Sequence, residues 1–247
     1  MSHTGVLVLR LAGPLQSWGA SSRFTRRTTE SAPTKSGIVG LLAAAAGIER
    51  GDDTRLAPLA ALRFGVRIDQ PGTRIRDFHT ARHGVTGASM PLSERFYLAD
   101  AVFVAAVEGD QRLIAGLHDA LRSPVYAPFL GRRSCPPAEP VDLGRYEETT
   151  LEDALTSVPW QASAWYRRRH RSPQTLTVLR ETTATESTDA ADVLRDQPVS
   201  FDAAHRRHAL RTVVTTAVPT PLPAGDGSPH GTHDPFAALD DLENESA

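Results

Sequence analysis

Two kinds of side chain in this sequence are suited to holding a polyanion, and both recur at short spacing. Arg23, Arg26 and Arg27 cluster beside Phe24, a few residues after Gln16 and Trp18. Guanidinium forks match phosphate oxygens, and arginine and aromatic planes both stack on unpaired bases; a solvated charged loop has the same composition. Gly131-Arg132-Arg133-Ser134 repeats the combination, with a glycine that permits close backbone approach and two arginines that reach for phosphate. Arg167 to Arg169 with His170 and Arg171 is the densest basic run, of a kind that is usually solvated surface. Lys35, Ser36 and Gly37 fall in the first turn of an expected helix, where free backbone N–H groups and the positive end of the macrodipole attract anions. The Gly-x-x-x-x-Gly-Lys arrangement of a nucleotide-hydrolysing loop is missing, so the alternative there is a plain solvent-exposed helix start.

His79 beside Arg76 has the chemistry of a general base for metal-free RNA cleavage, and equally that of a hydrogen-bonded structural histidine. On a helix, His79 and His83 would share one side, but Gly84 and Gly87 follow at once and no carboxylate or thiolate completes a ligand set, so neither a metal nor a cofactor is expected. Cys135 is the single cysteine, which excludes an internal disulfide and a cysteine-based zinc cage, fits a reducing compartment, and reads as a packing residue. The longest apolar run, Ile38 to Ala46, is interrupted by Gly40 and far too short to span a bilayer. A cytoplasmic protein without membrane contact is expected.

Charge sharpens the position of these groups. The 247 residues carry 27 Lys+Arg against 29 Asp+Glu, and every basic residue except Lys35 is arginine. That skew is what GC-rich coding would also produce, so placement has to decide what it means. From Thr212 onward there is no Lys or Arg, while Asp226, Asp234, Asp240, Asp241, Glu243 and Glu245 all lie there, which leaves residues 1–211 at 27 against 23, or +4. The near-neutral total hides a mildly basic body and an acidic tail. The tail, taken as 217–247, is rich in Pro and Gly and reads as disordered, with a short helix over Asp234 to Asn244 as the lesser alternative to a frayed terminus.

The elements that must position these residues follow from hydrophobic periodicity. Val6 to Leu11 is a nearly continuous apolar run, as in a strand buried on both faces. Thr34 is placed to cap a helix whose Ile38, Leu41, Leu42 and Ala45 share a face and which Gly47 ends. Leu62, Phe64, Val66 and Ile68 alternate with polar residues, which predicts a half-buried strand with Arg63 and Arg67 on the outer face. Residues 70–95 lack a sustained period, Phe96 to Val107 reads as one strand, and Asp110 caps a helix carrying Leu113, Ile114, Leu117 and Leu121. The order β-α-β-β-α opens a ferredoxin-like (RNA-recognition-type) βαββαβ unit, an α+β fold, with an insertion between its middle strands. Beyond it, Leu151 to Leu155 suggests a short helix, and Gln174 to Arg180 and Arg207 to Thr216 further strands. The expected division is a core over 1–150, a smaller β-rich part over 151–216 and the tail.

The segments also agree jointly with one family. Leu9-Arg10-Leu11-Ala12-Gly13-Pro14-Leu15-Gln16-Ser17-Trp18-Gly19, then Pro33-Thr34-Lys35-Ser36-Gly37 running into Gly40-Leu41-Leu42-Ala43-Ala44, resembles the opening of the CasD family. Arg76-Asp77-Phe78-His79-Thr80 and the run Tyr126 to Pro136 agree with the same family. These four ordered blocks cover residues 9–136, with weaker similarity to about residue 216, and the acidic tail lies outside them.

The resemblance implies a RAMP-superfamily subunit of Cascade, the type I-E CRISPR surveillance ribonucleoprotein of antiviral defence. It further implies a thumb hairpin made by the insertion at about 70–95, and a role in anchoring the 5′ handle of crRNA while capping the guide backbone. Its implied partners are crRNA, the backbone and large subunits, and target DNA in the assembled complex. Members of this branch are not enzymes, whereas relatives in type I-C systems cut precursor RNA, which keeps a metal-independent endoribonuclease using His79 as the alternative. Handle contacts are expected from Gln16, Trp18, Arg23, Arg26, Arg27, Lys35, Ser36, Arg76, His79, Arg132, Arg133 and Ser134. With a body near +4, affinity would come from a few placed arginines and not from a general field.

Overall fold

The computed structural model describes residues 4–19, 26–170, 175–183, 186 and 191–221. Arg23, Arg171 and the alternative helix over Asp234 to Asn244 lie outside these residues. The elements in chain order are strand β1 (Thr4–Ala12), β2 (Leu15–Gln16), β3 (Arg26–Arg27), helix α1 (Lys35–Ala45), α2 (Asp53–Ala60), β4 (Arg63–Gln70), β5 (Thr73–His79), β6 (Ser93–Ala99), β7 (Val102–Asp110), α3 (Gln111–Arg122), β8 (Asp142–Glu147), α4 (Leu151–Ser157), α5 (Ala164–Arg169), β9 (Thr175–Glu181), β10 (Asp192–Ser200) and β11 (Arg207–Pro219).

One antiparallel seven-stranded sheet runs β10-β11-β9-β4-β7-β1-β8. β1 and β7 are apolar at almost every position because both faces of the sheet are covered. Leu7, Leu9 and Leu11 point to the side packed by Ile38 and Leu42 of α1 and by Ile114, Leu117 and Leu121 of α3. Val6 and Val8, with Val104 and Ala106 of β7, point to the side packed by Leu151, Ala154 and Leu155 of α4. The helix ends match the sequence. Thr34 Oγ1 accepts the Gly37 N–H, Gly47 ends α1 at φ +65°, and Asp110 Oδ1 accepts the Arg112 and Leu113 N–H groups at the start of α3.

Two expectations are corrected. Phe96 to Val107 is not one strand. The chain turns at Asp100 (φ 56°), so β6 leaves the large sheet and pairs along its length with β5, and near its ends with β2 and β3. Continuous hydrophobicity concealed that break, because Tyr97 and Leu98 on β6 are buried as fully as the β7 residues that follow. β4 is not half-buried either. Gly65 leaves room for Leu151 and Leu155, so α4 lies directly on the face that carries the arginines. Arg63 bridges Glu108 and Glu152, each at 2.6 Å. Arg67, wholly buried, donates to the carbonyls of Leu155, Val158 and Pro159 and forks onto both oxygens of Asp69. A guanidinium there satisfies the carbonyls that the end of α4 would otherwise leave unpaired.

The second half of the chain extends the same sheet: β9 pairs with β4, and β11 and β10 follow outward. β9 and β11 lie where expected, whereas β10 and α2 escaped the sequence reading. β10 has Pro198 and a register shift, and α2 is eight residues long with Pro58 inside.

Removing one member of the Arg67–Asp69 pair strands the other in the interior, so Arg67→Leu should cost about 3–5 kcal/mol in denaturant unfolding. A second measurement uses Glu186, whose carboxyl the Arg180 guanidinium holds at about 2. Its folded pKa lies below its unfolded value. The stabilisation is therefore complete above about pH 4.5 and is lost as pH falls toward 2, and Glu186→Gln should flatten the acid limb of the stability profile over that window.

Candidate nucleic-acid interface

The site is built on a joint between three loops. Trp18 is fully buried, and its Nε1–H donates to Gln16 Oε1 at 3.0 Å while Gln16 Nε2 donates to the Leu11 and Ala101 carbonyls. The Trp18 N–H donates to Thr29 Oγ1, its carbonyl accepts the Glu30 N–H, and the Ser17 N–H donates to the Leu130 carbonyl. The indole lies against Gly37, where a β-carbon would stand 2.8 Å from Cε3, and a β-carbon on Gly131 (φ +83°) would collide with the Ser17 carbonyl. The Gln16-Ser17-Trp18 segment, the start of α1 and the turn 131–134 are therefore held as one unit.

The start of α1 is closed by the protein's own groups. The Lys35 N–H donates to Asp196 Oδ2 of β10 at 2.8 Å, and Asp196 also receives Arg211. Lys35 Nζ lies 2.9 Å from Glu181 of β9, and burial pulls its pKa below the usual lysine range. Ser36 is buried beside Thr34, with its hydroxyl 3.4 Å from Thr34 Oγ1. Gln16, Trp18 and Lys35 thus shape the site from inside.

Two surfaces flank the turn. On the hairpin β5–β6, alternation puts Arg74, Arg76 and Phe78 on one side of β5, with Phe96 opposite Arg76. The guanidinium of Arg74 sits 4.7 Å from the Phe96 ring centre, that of Arg26 5.3 Å from the same ring, and that of Arg76 4.8 Å from Phe78. Glu94 is shared by Arg26 at 4.0 Å and Arg76 at 3.6 Å. Arg132 lies over Tyr97 at 4.7 Å and donates to the Arg27 carbonyl at 2.9 Å. This is a shelf of arginines already stacked on aromatic rings. Of the residues expected at the site, Arg132 and the Arg27 carbonyl meet at Tyr97 on one face of β6, and Arg26 and Arg76 meet on the other, beside Phe96. Arg74 joins them, and the Arg74-Arg76-Phe78 alternation was the signal for it.

The other surface is a groove of about 900 Å³ beside α1, reached by Arg133. Gly37, Gly40 and Ala44, at helical spacing, form a floor without bulk. Tyr126, Phe129 and Phe201 also line it, together with Arg50, Arg133 and Arg206 and the carboxylates of Glu49 and Asp52. Arg50, Tyr126 and Arg206 join it only through the fold, from segments far apart in sequence. Ser134 is exposed on the turn, its hydroxyl 3.9 Å from Cys135 Sγ; Cys135 itself is buried, and burial pushes its thiol pKa up.

His79 ends β5, so the shared helix face with His83 does not exist; His83 lies in the tip, where its Nδ1 accepts the Thr86 N–H. His79 Nε2 lies 2.6 Å from Asp77, two residues back on the same strand face. Among the described residues no group of three metal-ligating side chains comes together, and no helix is long and apolar enough to cross a membrane.

Fold and site together define an α+β protein with a large antiparallel sheet and an arginine-and-aromatic surface at its hairpin. Residues 6–214 match the model of the CRISPR-associated Cas5 family, and the chain belongs to that family. It is 38% identical over 167 residues to the CRISPR system Cascade subunit CasD of Escherichia coli (strain K12), across 60% of this chain and 75% of that one. A Cas protein of known crystal structure superposes with a TM-score of 0.69 at 34% identity, over 89% of this chain and all of that one. A chain of a CRISPR RNA-guided surveillance complex gives 0.68 at 32% identity, over 90% of this chain and 94% of that one.

Replacing Trp18 by Phe leaves Gln16 Oε1 unpaired and opens space under both glycines. The expected cost is about 2–4 kcal/mol in denaturant unfolding.

Proposed function

We propose that this chain is the Cascade subunit that anchors the 5′ handle of crRNA and caps the guide backbone, acting in the cytoplasm as a binding subunit and not as an enzyme. Family membership and the likeness to CasD and to a surveillance-complex chain supply the class. The observation that carries the RNA contact is the hairpin, where Arg26, Arg74 and Arg76 are held over aromatic rings on one face and Arg132 over Tyr97 on the other. Stacking restrains their rotamers before RNA arrives, so less entropy is lost when they take phosphate or base edges. The sheet segment β4-β7-β1-β8, with α1 and α3 on one face, supports a ferredoxin-like reading of the core, in which β5–β6 would be the thumb hairpin. Handle nucleotides would cross the shelf and enter the groove at the turn 131–134, passing from Arg132 to Arg133. Ser36 and Ser134 offer hydroxyls at that crossing, and His79 with Asp77 lies on the hairpin face that carries Tyr97, away from Arg74 and Arg76. The backbone and large subunits would bury the remaining surface, and target DNA would be met only in the assembled complex.

Two measurements test this. Arg26→Ala, Arg74→Ala and Arg132→Ala should each weaken capture of a handle oligonucleotide about tenfold, and together reduce the salt slope by about 2 for single-stranded RNA; unchanged affinity and slope would overturn the shelf assignment. Repeat RNA incubated with the full chain in EDTA should remain intact. Specific cleavage that disappears in His79→Ala would replace this reading with a metal-independent endoribonuclease.

A further inference from the structure

Away from the hairpin, the short helix α5 presents a second basic surface that the handle reading leaves unused. Arg167, Arg168 and Arg169 are all exposed, and none forms an ion pair with a described residue. Arg63, Arg67, Arg180 and Arg211 among others have carboxylate partners, whereas these three stand consecutively with none among the described residues. Beside them Trp165 is 49% exposed. Adjacent guanidiniums without counter-charges repel one another, and the surface gains from any polyanion that can reach it.

The chain carries such a polyanion and delivers it to this place. The last strand, β11, ends at Pro219, and Val218 packs with Trp160, Ala162, Leu176 and Tyr166, the last of which lies on α5. The sequence beyond Pro221 contains six carboxylates and no Lys or Arg, interleaved with Phe236, Leu239 and Leu242. Asp234 stands 13 residues past Pro221, so an extended chain spans up to about 45 Å to that point, enough to cover a helix that begins beside the exit. The segment also lies beyond the family match, which ends at residue 214.

We propose that this acidic segment, Asp226 to Glu245, docks on the arginine face of α5 within the same molecule, and so shields that face from non-cognate nucleic acid. Tethering gives the segment an effective concentration that a free polyanion has to exceed. Long or specifically held RNA can displace it, whereas short stray polymers cannot.

The sequence offers a clean test, because Lys35 is the only lysine and is buried in an ion pair. In the full-length Arg168→Lys variant, zero-length carbodiimide cross-linking should join the new amine to a carboxylate of the segment 226–245, with a yield that does not change on dilution. Cross-links only to body carboxylates, or ones that vanish on dilution and so report a second copy, would overturn the proposal. Binding supplies an independent measure, using a uridine homopolymer that has no handle sequence and so does not depend on the handle reading. Neutralising the six acids (D226N, D234N, D240N, D241N, E243Q and E245Q) should tighten binding at low salt by about tenfold. Adding R167A, R168A and R169A should abolish that gain. Equal affinity of the neutralised and native chains, or a gain that survives the three alanines, would also overturn it.

Discussion

The arrangement depends on one buried indole. Trp18 is held by its ring nitrogen, its N–H and its carbonyl; its ring fills the space that Gly37 leaves open, and the adjoining Ser17 carbonyl fills that left by Gly131. Nothing larger than glycine fits at either contact, so three loops far apart in sequence are locked at fixed separation. The consequence is functional: the turn 131–134 sends one arginine to each side because its backbone cannot rock. Arg132 goes to Tyr97 and the Arg27 carbonyl, while Arg133 goes to the groove. A looser turn would leave both guanidiniums sampling solvent, and the rotamer entropy would be charged to binding.

A second constraint ties the site to the outer strands. Asp196 of β10 accepts the Lys35 N–H at the start of α1, while Glu181 of β9 takes the Lys35 ammonium and Arg211. Buried charges of this kind are costly unless every partner is in place. The start of α1, and with it the floor of the groove, is therefore correctly formed only when β9, β10 and β11 are docked. On the other face of the sheet, Arg67 and Asp69 do the same for α4 and the Trp160 loop, where Asp69 accepts the Gln161 N–H and its carbonyl the Trp160 Nε1–H.

These two networks explain what could and could not be read from the sequence. Periodicity placed β1, α1, β4, α3 and β11 and their caps, because those signals are local: a threonine before an apolar stripe, an aspartate before another. It failed where the outcome depends on what a distant segment supplies. Arg67 alternates like an outward residue and is buried because α4 arrives over Gly65. Lys35 sits like an anion ligand and is buried because Asp196 arrives from β10, whose pattern is weak, and Glu181 from the end of β9. The recognisable blocks around Gln16, Lys35 and Gly131, by contrast, fall on the joint around Trp18. Glycines and the tryptophan had to be at those positions for the joint to close, even though several of the polar residues beside them turned inward.

Arginine excess, uninformative as a count, separates by partner. Guanidiniums with carboxylates build the scaffold, at Arg63, Arg67, Arg180 and Arg211. Those held over aromatic rings, Arg74 and Arg132 among them, are oriented yet keep hydrogen-bond donors available. Lysine could substitute in neither class without loss, since the first needs a planar fork and the second a flat face. A body charge near +4 gives little long-range attraction, so discrimination has to come from contacts whose geometry is set before the ligand arrives. Cations fixed over rings have that kind of geometry, while near-neutral total charge lacks the indiscriminate attraction that a strongly basic surface would bring.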